Sequence, residues 1–566
     1  MTKLNRIFNF VKFFTLVTNL IILLWMVITY RFEVFLLNFI MITTILISFL
    51  EIVISYVKGI QIKVFHFTSM SIVVLFWFSF LYFTNIFKIL KGYSGEFVRE
   101  VFVVLVVISL VLIFIYFVTA FRIRLRKKGE RRITPYKIIS LSFFFIISAG
   151  TILLFLPFSH QKPVSFVDCL FTATSAVCVT GLTVLSTNND FTLFGQLVLL
   201  ALIQIGGLGL MVFTTLFSYL LGEKMSVFDR IVTQNAISAE SLSVIYRFTL
   251  FIVISTFLFE AIGTMIFYKR FSSFMPVDKA LFYSIFHSVS AFCNAGFSLY
   301  DNSFMDFRGD VLINLNLMCL IVIGGIGFPV IYNFYNIFRR REKNLSLHTK
   351  IVLITTGVLI ISGAVVYFLL ENGNLFKNFS TKEKILASFF ASITARTAGF
   401  NTIDYSMARD ATLLFTCVLM FIGASPASTG GGIKTTSFTL IVLNTFTVLR
   451  DRKLLSIFDR EISYDSIRKS IVVFFLSLCL IVLNSILILC FDPEINLKNV
   501  MFEVFSAFGT VGLSTGITPK LSTFSKLILI LTMFFGRVGP ITIIFSLGLA
   551  PKPVLKRLPE EKVITG

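Results

Sequence analysis

Apolar residues run through this chain in long blocks, and short basic stretches break them up. The first four blocks, at about 10–30, 33–57, 64–88 and 99–121, each hold the ~20 mostly apolar residues that cross a bilayer. Beyond residue 136 the pattern changes, and pairs of long blocks enclose a shorter one. The long blocks lie at about 138–158 and 191–221, 246–268 and 310–338, 350–370 and 410–447, and 470–491 and 522–549. Between the members of each pair lies a segment of ~12–15 residues, too short to cross and return except as a re-entrant helix and loop. The chain begins MTKLNRIFNFVKFF, a basic leader like that of a signal peptide. No A-x-A-type cleavage site follows and further spans do, so the first block is expected to be retained as a helix.

The four short segments are versions of one another: TSAVCVTGLTVL (Thr174–Leu185), SVSAFCNAGFSLY (Ser288–Tyr300), SITARTAGFNTI (Ser392–Ile403) and FSAFGTVGLSTG (Phe505–Gly516). Each centres on a glycine, Gly181, Gly296, Gly399 and Gly512, at intervals of 115, 103 and 113 residues. Phe171, Phe286, Phe389 and Phe502 stand ten positions before the glycines, and Leu182, Phe297, Phe400 and Leu513 follow them directly. Ser-Ala recurs six and five positions before the glycine in three copies, while the third has Ile393-Thr394. A fixed period of this size means a repeated structural unit. Four units around one axis suggest a pore.

Composition names the medium. Apolar residues make up 56% of the chain, mean hydropathy is +0.91 and there are 69 Phe, so too little polar surface remains for a soluble protein. The net charge of +21 is concentrated beside the expected spans, at 122–137, 339–350, 450–469 and 552–562. That placement is the positive-inside pattern, which makes these loops cytoplasmic and suited to anionic lipid rather than to nucleic acid. Both termini are then cytoplasmic, and the re-entrant segments dip from the outside. The seven cysteines form no C-x-x-C pair and are expected to pack in apolar segments, and the four histidines are too scattered for a zinc site.

The expected fold is an all-α integral membrane protein with four span–pore loop–span (M1-P-M2) repeats in a pseudo-fourfold arrangement around a pore. Residues 1–121 form an N-terminal four-helix membrane extension and 122–137 a basic cytoplasmic linker, followed by repeats at 138–222, 246–338, 350–447 and 470–549.

Glycine at the tip of a re-entrant loop has a chemical meaning. Irregular backbone at membrane depth survives only where its polar groups are buried in protein or line a watery cavity. Glycine reaches φ > 0 and lets backbone approach a ligand closely. Four such loops present a ring of carbonyl oxygens that can replace the hydration shell of a cation. The negative ends of the re-entrant helices would favour the same charge. A second irregular stretch, GASPASTGGGIKTTS (Gly423–Ser437), carries Ser425-Pro426 and Gly430-Gly431-Gly432, which break a helix, together with Ser428, Thr429 and Lys434. It lacks the G-x-x-x-x-G-K-[ST] spacing of a phosphate cradle. Arg537, in GRVGPITI (Gly536–Ile543), lies mid-span, where an unpaired arginine costs at least ~2.5–3.5 kcal/mol, so it faces water or pairs with a carboxylate such as Glu260 or Glu503. Arg396 is expected to brace the third loop.

VTGL, CNAGF, RTAGF and GTVGLS, in this order and followed by the two stretches above, resemble the filter sequences and gate of the Trk/Ktr/HKT superfamily of cation transporters over about 136–549. The resemblance implies potassium uptake through a filter built from Thr180, Gly181, Ala295, Gly296, Ala398, Gly399, Val511 and Gly512. It makes Ser428, Gly430, Gly431, Gly432 and Lys434 a mobile intramembrane gate, and Arg537 a positive barrier below the filter. It further implies a homodimer in the inner (cytoplasmic) membrane, gated by a cytoplasmic RCK-type nucleotide-binding subunit of the TrkA/KtrA kind. No covalent cofactor is expected; potassium is the transported ion and sodium a candidate coupling ion. Glycine rather than serine in the first filter favours potassium over sodium, and a sodium-permeable pore is the alternative. An integral-membrane transferase would need carboxylates clustered at one interface, whereas Glu51, Glu260 and Glu503 lie on separate spans. The four N-terminal helices exceed the none or two of the family's shorter members.

Overall fold

The computed structural model describes residues 135–209, 212, 245–452 and 454–546. The expected N-terminal extension 1–121 and most of the linker 122–137 lie outside them. All but residues 156–158 of the described part belong to one compact unit, Ile133–Phe155 with Ser159–Gly566.

Helices supply nearly all of its regular structure. They are α1 (Pro135–Phe155), α2 (Phe166–Val177), α3 (Leu193–Leu208), α4 (Ile245–Phe271), α5 (Val277–Phe292), α6 (Val311–Gly325), α7 (Phe328–Phe338), α8 (Leu347–Glu371), α9 (Thr381–Thr394), α10 (Asp410–Phe421), α11 (Thr435–Leu449), α12 (Tyr464–Phe491), α13 (Leu497–Gly509), α14 (Thr523–Val538) and α15 (Pro540–Ser546). A two-residue hairpin, Ser456–Ile457 against Arg460–Glu461, is the one strand pair among the described residues. The helices α4, α8 and α12 are each long and apolar enough to cross a membrane, and so are the bent pairs α6–α7 and α14–α15 taken together. Their outward faces carry large apolar side chains such as Met265, Leu369 and Phe475, the surface a lipid-embedded protein presents.

The short helices α2, α5, α9 and α13 each pack on the long helix that precedes them. Two of their starts are capped by side chains: the Ser165 hydroxyl accepts from Asp168 N, and Ser380 forms a capping box with Glu383. Their C-terminal turns are buried, with Ala176, Val177, Ala291, Phe292, Ala391, Ala507 and Phe508 almost fully covered. Polar clamps tie each segment to the next at the rim. Ser186 bonds Asp301 at 2.6 Å, Arg308 meets Glu383 at 3.3 Å, Lys498 meets Asp410 at 2.7 Å, and Lys526 returns to Asp168 at 2.8 Å.

Hydropathy suggests continuous second spans over 310–338 and 522–549, and the structure corrects this, whereas most of the 191–221 span beyond Gly209 lies outside the described residues. The chain bends by 93° between α6 and α7 and by 97° between α14 and α15. Gly327 (φ 93°, ψ 142°) and Gly539 (φ 91°, ψ 137°) at these bends share one backbone conformation, which Gly209 (φ 79°, ψ 138°) adopts at the end of α3. Only glycine adopts it without strain. The second span of the third repeat, 410–447, is interrupted between Phe421 and Thr435, where the Ser-Pro and triple-glycine sequence lies. Of the cysteines, Cys169, Cys178, Cys293 and Cys417 are buried, but Cys319, Cys479 and Cys490 lie on exposed faces and do not pack inside as expected.

Candidate functional site

Each short helix ends in a loop that turns back by one device. The N–H of the residue before the glycine donates into the last helical turn: Thr180 N to Ser175 O, Ala295 N to Ser290 O and Val511 N to Ser506 O, all at 2.8 Å, and Ala398 N to Thr394 O at 3.0 Å. Two residues before each glycine the backbone is left-handed, at Val179 (φ 57°), Asn294 (φ 58°), Thr397 (φ 73°) and Thr510 (φ 50°), and at the glycines it is left-handed again. Positive φ at alternate residues, negative between, swings the intervening carbonyl away from the helix end. Side chains secure the turn: Gly181 N and Gly512 N donate at 3.0 Å to the hydroxyls of Ser175 and Ser506, while Ser290 and Thr394 donate at 2.8 Å to the carbonyls of Phe297 and Phe400.

These loops bring the four glycines into a closed ring. A Cβ built on Gly181 would lie 2.6 Å from Ala295 O, one on Gly296 2.9 Å from Ala398 O, one on Gly399 2.5 Å from Val511 O, and one on Gly512 2.2 Å from Thr180 O. Carbonyls of Thr180, Ala295, Ala398 and Val511 thus alternate with the glycines in a closed cycle. Real Cβ atoms do not come this close to oxygen, so glycine is obligatory here for closeness as well as for φ.

The Gly423–Ser437 stretch is packed against the helix-end side of this ring. Gly431 N donates to the Thr510 hydroxyl at 3.0 Å, and the Thr429 hydroxyl to Phe292 O at 3.2 Å. Ser425 N bonds Gly325 O at 3.0 Å and Phe328 N bonds Ala427 O at 3.0 Å, fastening the stretch to the hinge between α6 and α7. A Cβ on Gly430 would meet the Thr397 hydroxyl at 2.2 Å, and one on Gly431 the Thr510 hydroxyl at 2.4 Å. Lys434 caps the arrangement, its Nζ donating to Gly430 O at 2.8 Å. Ser428 closes a local turn through its hydroxyl to Ser425 O at 2.7 Å.

Arg537 has neither carboxylate partner that the sequence suggested. Its guanidinium donates to the carbonyls of Thr429 and Gly206, and to Gly207 O at 3.4 Å. Glu260 instead accepts from Gln204 at 3.3 Å, and Glu503 from Ser514 and, at 3.0 Å, from Thr518. The guanidinium therefore joins the irregular stretch to the end of α3. Arg396 does not brace its loop: it is buried at 8% exposure, its Nε has no partner, and it makes no ion pair among the described residues.

The third segment also departs from the constant spacing. Phe171, Phe286 and Phe502 are fully buried, but Phe389 is 38% exposed and Phe390 takes the inner position. Its loop is one residue tighter, with the back-bond spanning four residues rather than five, so Thr394 and Phe390 do what Ser and Phe one position earlier do elsewhere.

Two groups of site residues escaped the sequence reading. Gly206, Gly324 and Gly536, each three positions before one of these positive-φ glycines, press on the helix-end carbonyls of Val177, Phe292 and Phe508, where a Cβ would sit 2.0–2.2 Å away. The G-x-x-G spacing at 206–209, 324–327 and 536–539 was the available signal. His287 and Glu503, each nine positions before its glycine, hold the strand after the ring, His287 through Ser298 and Leu299 N at 3.2 Å and Glu503 through Ser514.

A family model described as TrkH, a cation transport protein, matches residues 98–554. The chain belongs to this family. Its match takes in the apolar block at about 99–121, which the motif resemblance left out. The chain is 40% identical over 437 residues to Ktr system potassium uptake protein B of Bacillus subtilis (strain 168), covering 77% of this chain and 97% of that protein. It is 39% identical to the protein of the same name from Vibrio alginolyticus over 442 residues, 78% of this chain and 96% of the relative. With the potassium/sodium uptake protein NtpJ of Enterococcus hirae it shares 36% identity over 450 residues, 78% of this chain and 99% of the relative. The crystal structure of the potassium transporter TrkH from Vibrio parahaemolyticus has the same fold, with a TM-score of 0.59, 18% identity, and coverage of 86% of this chain and 97% of that one. TrkH-family membership makes this chain an integral membrane transporter and sets aside the transferase alternative.

Proposed function

We propose that the protein is the pore subunit of a potassium uptake system, conducting potassium inward through the glycine ring. The carrying observation is the closed cycle of four carbonyls, Thr180, Ala295, Ala398 and Val511, each against a glycine of the neighbouring loop. In this reading the four segments are the M1-P-M2 repeats of a pseudo-fourfold pore. The carbonyl cage replaces water around potassium, and the buried C-termini of α2, α5, α9 and α13 add partial negative charge. Serine and threonine hydroxyls behind the loops hold the cage open at potassium size, so that smaller sodium is undercoordinated.

The Gly423–Ser437 stretch is the gate. It blocks the path on the helix-end side of the ring and is held by Lys434 and Arg537, whose charge also opposes a resting cation. Swinging it aside breaks its bonds to Thr510, Phe292, Gly325 and Arg537 and lifts Ile433 out of the core. The names of the Ktr relatives describe a multi-component system, and the basic loops suit a cytoplasmic regulatory partner. We assign that partner to the RCK type, the pore subunit to a homodimer in the cytoplasmic membrane with both termini inside, and sodium to the role of candidate coupling ion, in keeping with the name of the Enterococcus relative. Growth of a potassium-uptake-deficient cell at limiting potassium, with and without this chain, tests the reading. Growth restored by the chain supports it, and none despite membrane expression contradicts it.

A further inference from the structure

We propose that Arg396 holds a single free halide ion, chloride in the cell, in the cavity between α6, α8 and the end of α9. Arg396 stands three positions before its glycine, where the other loops have Cys178, Cys293 and Gly509. It is the one charged member of that set. The residue is 8% exposed, yet its Nε is buried without a hydrogen-bond partner, and no carboxylate meets it among the described residues. The nearby end of α9 supplies about half an elementary charge, which leaves the cation only partly offset.

The surroundings form a built site. Arg396 and Thr356 both line a small, partly open cavity, together with Ile360, Ile393, Gly325 and Ala424. Thr356 is 6% exposed, and its hydroxyl is likewise without a partner. Two residues with unpaired donors thus line one otherwise apolar space with room for about one water-sized particle. A water would satisfy the hydroxyl and leave the charge. A small monovalent anion satisfies both, and a monoatomic one needs no further polar partner in these apolar walls. The site borders Gly325 and Ala424, where the proposed gate meets α6, so its occupancy would bear on gating, but the site itself does not rest on the transport reading.

Crystals of the full-length protein grown in potassium bromide test it by anomalous scattering. The expected result is a bromide peak within hydrogen-bond distance of the Arg396 guanidinium and the Thr356 hydroxyl. In detergent, the melting temperature of the wild type should rise saturably with chloride or bromide against gluconate at equal ionic strength. Arg396→Gln should abolish that response, and Thr356→Val should weaken apparent halide affinity about five- to tenfold, the loss of one hydrogen bond to an ion. Where Arg396→Gln fails to fold, Thr356→Val and the bromide peak decide. An empty site beside an ordered guanidinium, an elongated lipid density there, or a halide response unchanged in the variants would overturn the proposal.

Discussion

Gly512 stands so close to Thr180 that a Cβ on the glycine would lie 2.2 Å from the threonine carbonyl oxygen. These residues are 332 positions apart and belong to the last and first of the four loops. Their contact closes the ring. The geometry at this seam depends on two backbone segments with no side chain between them, which gives the ring a fixed diameter and little tolerance for substitution.

Gly181→Ser tests that tolerance most mildly. The new side chain must accept φ 91° and a Cβ 2.6 Å from Ala295 O, a strain of ~1–3 kcal/mol that the ring relieves by widening. Potassium-to-sodium preference should fall about tenfold, the equivalent of ~1.4 kcal/mol, while expression persists. Uptake assays with mixed cations check this, and unchanged selectivity counts against a filter at this glycine.

Ser506→Ala removes the acceptor of Gly512 N without touching the ring itself. A buried N–H left unpaired costs ~1–3 kcal/mol, and the carbonyl of Val511 loses its backing. Ser175→Ala should act alike at Gly181, and the double variant should lose selectivity more than additively, because the two loops meet at the seam. Competition by sodium for potassium uptake is the measurement.

Arg537→Ala releases the irregular stretch from the end of α3. Removal of the guanidinium unties the carbonyls of Thr429, Gly206 and Gly207 and should lower stability by ~2–3 kcal/mol, as for charged hydrogen bonds. Flux should rise several-fold, since the same group anchors the gate and repels the ion. Deletion of Ser428–Gly432 should also raise flux. A stable Arg537→Ala protein with wild-type flux would remove both roles from the arginine.

Gly536→Ala should be among the most damaging single substitutions in the described part. The added methyl would lie 2.0 Å from Phe508 O, a backbone atom that cannot rotate away. Gly539→Ala meets no comparable clash, its nearest neighbour being the Thr542 hydroxyl at 3.9 Å, but it must adopt φ 91°. Solubilised melting should therefore rank Gly536→Ala well below Gly539→Ala.

The glycine ring was legible in the sequence because only glycine serves there, so the repeat keeps it in every copy. The left-handed residues two positions earlier were not, since Val179, Thr397 and Thr510 are β-branched, the residue type least suited to positive φ. Surrounding hydrogen bonds impose that conformation. Bends at Gly327 and Gly539 hid inside runs whose hydropathy suits a straight span, and hydropathy carries no direction. The partners of Arg537 were misread because a buried cation was expected to seek a carboxylate, whereas broken helices offer carbonyls enough to satisfy it.

Uptake of radioactive rubidium into proteoliposomes by wild-type protein and Gly181→Ser, side by side, with unlabelled potassium or sodium outside, addresses the glycine ring most directly. The proposed filter requires that potassium suppress rubidium uptake by the wild type while equal sodium does not, and that sodium gain the ability to compete in Gly181→Ser. Equal competition by sodium and potassium in the wild type, or the same strong potassium preference in both proteins, would contradict it.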